Sequence, residues 1–134
     1  MTLNIRVIAP DKIVWDAQAE EIILPSSTGQ LGILTGHIPI LTALDIGVMR
    51  VKISKEWKPI ILLGGFAEVK NDNITILVNG AEEIENINLD DVKDKLNDAT
   101  QLLEKAQTSK EKIEATQIIR KAKARLQAAT IINN

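Results

Sequence analysis

A single histidine, His37, is the one side chain in this sequence suited to moving protons near neutral pH. Any Ser-His-Asp or other histidine-based acid–base mechanism would therefore depend on His37 alone. Its neighbours Gly36 and Pro39 favour the alternative of a loop histidine with a contact role. The chain has no cysteine, which excludes thiolate nucleophiles, disulfides and cysteine-ligated zinc or iron–sulfur centres.

Two acidic clusters and one glycine-rich stretch could in principle hold a cation or a phosphate. The clusters Glu82-Glu83-Glu85 and Asp90-Asp91-Asp94 lack the oxygen-ligand loop with a central glycine that calcium sites use. The glycines Gly29, Gly32 and Gly36 match neither Gly-x-Gly-x-x-Gly nor a stretch ending in Gly-Lys-Ser/Thr. We therefore predict no catalytic residue, no metal and no cofactor.

The overall composition restricts the partners further. A net charge of −2 over 134 residues gives no general reason to bind nucleic acid, and three aromatic residues, Trp15, Trp57 and Phe66, are too few for a base-stacking platform. No apolar run approaches the ~20 residues of a transmembrane helix. The chain therefore has no predicted membrane span, and its size fits one domain with an accessory element.

Up to about residue 80 the apolar residues recur with a period of two, as in Leu3, Ile5 and Val7, which predicts half-buried strands. Turn signals recur at 10–11, 25–29, 64–65 and 71–73. Many short strands between regular turns predict an all-β sandwich over residues 1–86. Proline lacks a backbone donor, so the strand that contains Pro59 should begin there or lie at an edge.

From residue 87 to 134 the period becomes helical, which predicts a C-terminal α-helical hairpin. Asn88 and Thr108 have acidic residues three positions later, and both are predicted helix caps. Each helix has one apolar stripe; the stripes are Val92, Leu96, Ala99, Leu102, Leu103 and Ala106, then Ala115, Ile118, Ile119, Ala122, Leu126 and Ala129.

The charges of the two helices differ in sign. Residues 81–106 contain 3 basic and 8 acidic groups, whereas residues 107–134 contain 6 basic and 2 acidic groups. The strongest local feature is the basic cluster, which we define as Arg120, Lys121, Lys123 and Arg125. It is either a solvated helix face, partly paired with the first helix, or a docking face for an acidic partner.

The segment 25–39, PSSTGQLGILTGHIP, resembles the signature of the epsilon subunit of F-type ATP synthases, and GGFAEV at 64–69 fits the same family. The similarity covers essentially the whole chain and is greatest to the cyanobacterial and plastid type. The resemblance implies a β-sandwich followed by a regulatory hairpin. It also implies a peripheral position at the thylakoid membrane, on the stromal or cytoplasmic side.

The resemblance implies a non-catalytic rotor subunit. Its sandwich would contact the gamma subunit and the c-ring, and its hairpin would reach the alpha and beta subunits through the basic cluster and restrain ATP hydrolysis. By position, the partner-binding residues would be Gln30, Leu31, His37, Gly64, Gly65, Phe66 and Glu68.

Some bacterial members of the family bind ATP through Ile/Leu-Asp-x-x-Arg-Ala, but this chain has Lys93 and Asp94 in place of arginine and alanine. Lysine lacks the planar fork for phosphate and Asp94 repels it, so no ATP binding is predicted. Two other functions stay open at this point, a free-standing helical-hairpin adaptor and a small enzyme that depends on His37.

Overall fold

The computed structural model describes residues 2–83 and 88–133, which form eight strands followed by two helices. The elements are β1 (Leu3–Ala9), β2 (Lys12–Ala19), β3 (Glu21–Ser26), β4 (Gly29–Ile33), β5 (Ile40–Ile53), β6 (Glu56–Lys70), β7 (Asn73–Val78), β8 (Ala81–Glu83), α1 (Leu89–Lys105) and α2 (Ser109–Asn133). The predicted β-sandwich followed by a helical hairpin is confirmed. The predicted boundary between residues 86 and 87 lies outside the described residues.

The strands are hydrogen bonded in the order β2-β1-β7-β6-β5-β3-β4, and β8 pairs with β6. All pairs are antiparallel except β1 with β7, which is parallel. Leu3, Ile5 and Val7 of β1 are buried between exposed neighbours, as the period of two predicts. They share one core with residues of β3, β4 and β5, so the two ends of the strand path pack against each other.

Three of the four predicted turn segments join strands, at 10–11, 27–28 and 71–72. Asn71 and Asp72 have φ values of 52° and 62°, the conformation of a two-residue hairpin turn that these residue types tolerate. Ser54 and Lys55 form an equivalent turn with φ values of 51° and 67°. That turn was not predicted, because its residues include neither glycine nor asparagine.

The predicted turn at 64–65 is wrong, because both glycines lie inside β6. There β5 and β6 pair Leu44 with Gly65 and then Ile46 with Leu63, and the inward-facing residues of β6 change from Leu62 to Ala67, five positions apart. We call this change in the inward-facing residues, across which β5 and β6 keep their register, the Gly64–Gly65 face switch. Gly65 has a φ of 149°, and a Cβ built on it would lie 2.0 Å from the carbonyl oxygen of Leu77 on β7. Only glycine allows the two strands to approach this closely.

Pro59 also lies inside β6, opposite Arg50 of β5. The expectation that the strand begins at Pro59 is therefore wrong, since β6 begins at Glu56. On its other side, β6 pairs with β8 from Ile60 onward and with β7 from Gly65 onward. Neither pairing reaches Pro59, so the alternative expectation of an edge position is confirmed locally.

Both helices begin at their predicted caps. The Asn88 side chain accepts hydrogen bonds from the backbone N–H of Asp90 and Asp91, at 2.9 and 3.3 Å. The Thr108 hydroxyl accepts from the N–H of Glu111 at 3.1 Å, and the Glu111 carboxylate accepts from the N–H of Gln107 at 3.2 Å. These caps satisfy donors that the first turn of a helix leaves without partners.

The predicted apolar stripes are correct at their small residues and wrong at two large ones. Ala99 of α1 and Ala115 of α2 are buried, as expected. Leu102 and Ile118 were placed on these stripes, but their side chains are 55% and 46% exposed. The fully buried stripe residues are therefore alanine and valine, whereas the larger ones are half-buried or exposed.

Candidate partner-binding surfaces

An apolar row crosses five strands on the outer face of the sandwich, away from the core. Register places its members side by side in the order Ile13, Ile8, Leu77, Phe66 and Ala43, from β2 to β5. Ile13, Leu77 and Phe66 are 56%, 52% and 58% exposed. We call these five residues the open row. A contiguous exposed apolar surface of this kind is typical of a protein–protein contact.

More exposed apolar residues lie beside the open row. Leu41 of β5 is opposite Glu68 of β6, and Leu34 and Ile38 lie in the segment between β4 and β5. That segment is tied to the β6–β7 turn, because the N–H of Gly36 donates to the Asp72 carboxylate at 2.8 Å. The open row therefore continues into a loop held at one end of the sheet.

The structure brings only some of the residues predicted from the sequence to this surface. Phe66 is in the open row and Glu68 is its exposed neighbour two positions along β6. Gln30 and Leu31 lie on the edge strand β4, which β3 and β5 separate from β6. Gln30 accepts a hydrogen bond from Arg50 Nη2 at 3.3 Å. His37 lies in the loop, where its Nδ1 is 2.7 Å from the carbonyl oxygen of Ile38.

Gly64 and Gly65, which the resemblance assigned to partner binding, form the face switch that precedes the outward-facing Phe66. Ile13, Leu77 and Leu41 were missed by the sequence reasoning. One signal was available, since residues 74–78 read ITILV, a nearly continuous apolar run. Such a run indicates a strand covered on both faces, and Leu77 is the outward member.

A second apolar area outside the main core lies on β5 and β6, where α2 covers it. Ala124 and Ala128 pack on Val48 of β5 and Ile61 of β6, with Leu63 and Ile131 at the margin. We call these six residues the hairpin seat. Neither alanine belongs to the predicted stripe of α2, so this helix buries two faces, one on α1 and one on the sheet. Alanine side chains let the helix backbone lie close to the sheet.

One ion pair borders the hairpin seat. Arg125 donates from Nε and Nη2 to the two carboxylate oxygens of Glu82, at 3.0 and 2.7 Å. Glu82 lies on β8 directly opposite Ile61 of the hairpin seat. The hydrogen bonds from Arg125 lower the pKa of Glu82, and the bond to Glu82 raises the pKa of Arg125, while partial burial opposes both shifts. Lys121 adds a smaller attraction for the Glu82 carboxylate.

The basic cluster is therefore divided. Arg120 and Lys123 are exposed, whereas Lys121 and Arg125 are half-buried, and Arg125 is engaged with the sandwich. The sequence suggested partial pairing with the first helix, but the partner of Arg125 is β8. The cause is the second buried face of α2, which turns this arginine toward the sheet.

The described residues have no group of three or more His, Asp or Glu side chains placed to hold a metal ion. Neither helix, as far as the structure describes them, has an apolar stretch sufficient to cross a bilayer. The features suited to recognition are therefore the open row with its loop and the border of the hairpin seat.

Comparison with known proteins agrees with this architecture. Residues 2–84 match the family model described as ATP synthase, Delta/Epsilon chain, beta-sandwich domain. The chain is 72% identical over 130 residues to the chloroplastic ATP synthase epsilon chain of Porphyra purpurea, with 97% of each chain covered. It is 57% identical over 132 residues to the ATP synthase epsilon chain of Thermosynechococcus vestitus, with 96% of each chain covered.

A similar fold is present in a chain of the Euglena gracilis mitochondrial ATP synthase OSCP/F1/c-ring structure, with a TM-score of 0.83 and 19% identity. The match covers 96% of this chain and 81% of that one. The central stalk and c-ring structure of the Tetrahymena thermophila mitochondrial enzyme contains another, with a TM-score of 0.61, 16% identity and 96% of each chain covered. From the family model and the identity over its full length, this chain belongs to the epsilon chain family of ATP synthases.

Proposed function

We propose that this chain is a non-catalytic subunit of the rotor, or central stalk, of an F-type ATP synthase. In this role the sandwich binds the gamma subunit and the c-ring, and helps to couple ring rotation to the catalytic head. The hairpin restrains ATP hydrolysis when it reaches the alpha and beta subunits. The complex would hold the chain at a thylakoid membrane, on the stromal or cytoplasmic side, as expected for relatives of chloroplasts and cyanobacteria.

The observation that carries the proposal is the presence of two separate apolar areas outside the main core. The open row is exposed apolar surface that a partner can cover, and the hairpin seat is already covered by a helix through small side chains. A subunit that must stay bound to one partner while releasing part of itself toward another needs two such areas. A free-standing adaptor would not need the contact between α2 and the sheet.

The open row is tested by a gamma pull-down with the Phe66→Asp variant. A buried, unpaired carboxylate at the centre of the contact should weaken binding at least about tenfold. Leu102→Asp is the matched control, because Leu102 has nearly the same exposure but lies on α1. Equal binding by the two variants would place the gamma contact elsewhere.

The inhibitory role is tested with the two exposed cations of the basic cluster. Arg120→Glu combined with Lys123→Glu should reduce inhibition of ATP hydrolysis by a reconstituted complex several-fold, and less at high salt, because exposed ion pairs contribute about 0.2–1 kcal/mol each. Lys110→Glu with Lys112→Glu makes the same charge change in the first turn of α2 and is the control. If both double variants inhibit ATP hydrolysis as strongly as the wild-type chain, the basic cluster does not contact the catalytic subunits.

A further inference from the structure

The contact that holds the hairpin on the sandwich contains little apolar surface. The buried members that α2 supplies, Ala124 and Ala128, each contribute a single methyl group against Val48 and Ile61, and the larger Leu63 and Ile131 are only partly buried at the margin. Hydrophobic stabilisation is proportional to the apolar area removed from water, so this contact is weak for its length. A polar interaction at its border therefore has a large share in deciding whether the helix stays in place.

The Glu82–Arg125 pair is that interaction. It is bidentate, which is the strongest geometry for an arginine and a carboxylate, and both side chains are only 35% exposed. It joins β8, the short strand of the sandwich before the hairpin, to the second helix of the hairpin, 43 positions further along the chain. Closing this pair fixes α2 in position along the sheet as well as against it.

We propose that Glu82 and Arg125 form a release latch, which holds the hairpin on the sandwich and must open before Arg125 can face a carboxylate of another subunit. The latch rests on the proposed regulatory role of the hairpin, and it gives Arg125 a function distinct from that of Arg120 and Lys123. Glu82 occupies the Nε–Nη2 edge of the guanidinium, so this edge serves one carboxylate or the other. The two exposed cations have no such exchange to make.

The test is amide hydrogen exchange of the full isolated chain, followed by mass spectrometry. Arg125→Gln and Glu82→Gln should each raise exchange of α1 and α2 amides by about three- to tenfold, as expected for loss of a partly exposed bidentate pair. Amides of β1 and β7, which lie away from the hairpin, should exchange as in wild type and show that the sandwich is folded. Arg120→Gln, the matched control on the same helix, should leave the hairpin unchanged.

The charge-swapped double variant Glu82→Arg with Arg125→Glu decides between ion pairing and simple packing. A latch predicts that the charge-swapped pair restores slow hydrogen exchange of the hairpin amides. It also predicts that the double variant with both glutamine substitutions exchanges no faster than either single variant. Hairpin exchange in Arg125→Gln equal to that in Arg120→Gln would overturn the latch. The latch would also be overturned if the charge-swapped variant did not slow hydrogen exchange of the hairpin amides, since Arg125 would then act through its aliphatic stem.

The outcome is separable from that of the proposed function. In reconstituted ATP synthase, Arg125→Gln should strengthen inhibition relative to Arg120→Gln, because the released hairpin is available more often. If exchange shows an open latch but inhibition is the same for both variants, the regulatory role fails and the latch stands. If hairpin exchange is unchanged, the latch fails whatever the inhibition assay gives.

Discussion

Replacing Gly65 by alanine should destabilise the sandwich more than other glycine-to-alanine changes in this chain. The added Cβ would lie 2.0 Å from the carbonyl oxygen of Leu77 and 2.8 Å from Cα of Val78, and both are backbone atoms that no rotamer change can move. Real Cβ atoms essentially never come closer than 3.0 Å to such atoms, so β7 must move by about 1 Å. That movement strains the pairing of Gly65 with Val78 and of Phe66 with Leu77.

Two terms set the magnitude. A residue other than glycine at a φ of 149° costs about 1–3 kcal/mol, and one or two weakened backbone hydrogen bonds cost about 1 kcal/mol each. The total of about 2–5 kcal/mol is a large part of the 5–15 kcal/mol that typically separates folded from unfolded states. At about 4–8 °C per kcal/mol for a domain of this size, the melting temperature should fall by at least about 10 °C.

Thermal unfolding followed by circular dichroism measures this, with Gly32→Ala as the control. Gly32 has no heavy atom within 4 Å of a built Cβ and its φ is outside the left-handed range, so alanine there should melt within about 3 °C of wild type. If Gly65→Ala and Gly32→Ala have the same melting temperature, the close approach of β6 to β7 does not constrain this position.

Three further predictions concern the hairpin. Ala128→Leu overfills the hairpin seat and should destabilise docking of the hairpin by about 1–3 kcal/mol. Hairpin amides should then exchange faster while the sandwich keeps its melting temperature, and unchanged exchange would refute the close contact. The paired Glu82 has a pKa below its ordinary value of 4.5, so its contribution to docking of the hairpin should be constant above that pH and be lost as the pH falls below it. Hydrogen exchange of the hairpin amides, corrected for intrinsic rates, measures this loss, and Glu82→Gln should remove the pH dependence. Millimolar ATP should leave the melting temperature unchanged, because Lys93 and Asp94 replace the phosphate-binding arginine and its neighbour; a saturable rise would contradict this.

Local patterns gave reliable predictions where the controlling interactions are themselves local. The alternation in β1 and the caps at Asn88 and Thr108 depend on residues within a few positions of each other, and all three are confirmed. The pair Gly64-Gly65 was misread because two glycines permit either a turn or a close approach of backbones within a strand. The long-range pairing of β6 with β5 and β7 keeps the strand continuous, and sequence alone does not contain that pairing.

The candidate surfaces were harder to predict for the same reason. Phe66 could be assigned through its motif, but its neighbours Leu77 and Ile13 come from distant strands and become adjacent only through register. The hairpin seat was missed because alanine carries a weak hydrophobic signal, and Ala124 lies off the apolar stripe of its helix. The partner of Arg125 could not be read from the chain, since Glu82 is 43 positions away.

The Gly64–Gly65 face switch also limits how the length of this chain can change during evolution. The inward-facing residues skip one position in both strands at the same level, from Leu44 to Met49 in β5 and from Leu62 to Ala67 in β6. Deleting a residue from one strand alone would turn every side chain beyond it to the opposite face, moving Phe66 into the core and a core residue into water. A length change here is tolerated only when both strands change together, so single insertions and deletions should accumulate in the connecting turns instead.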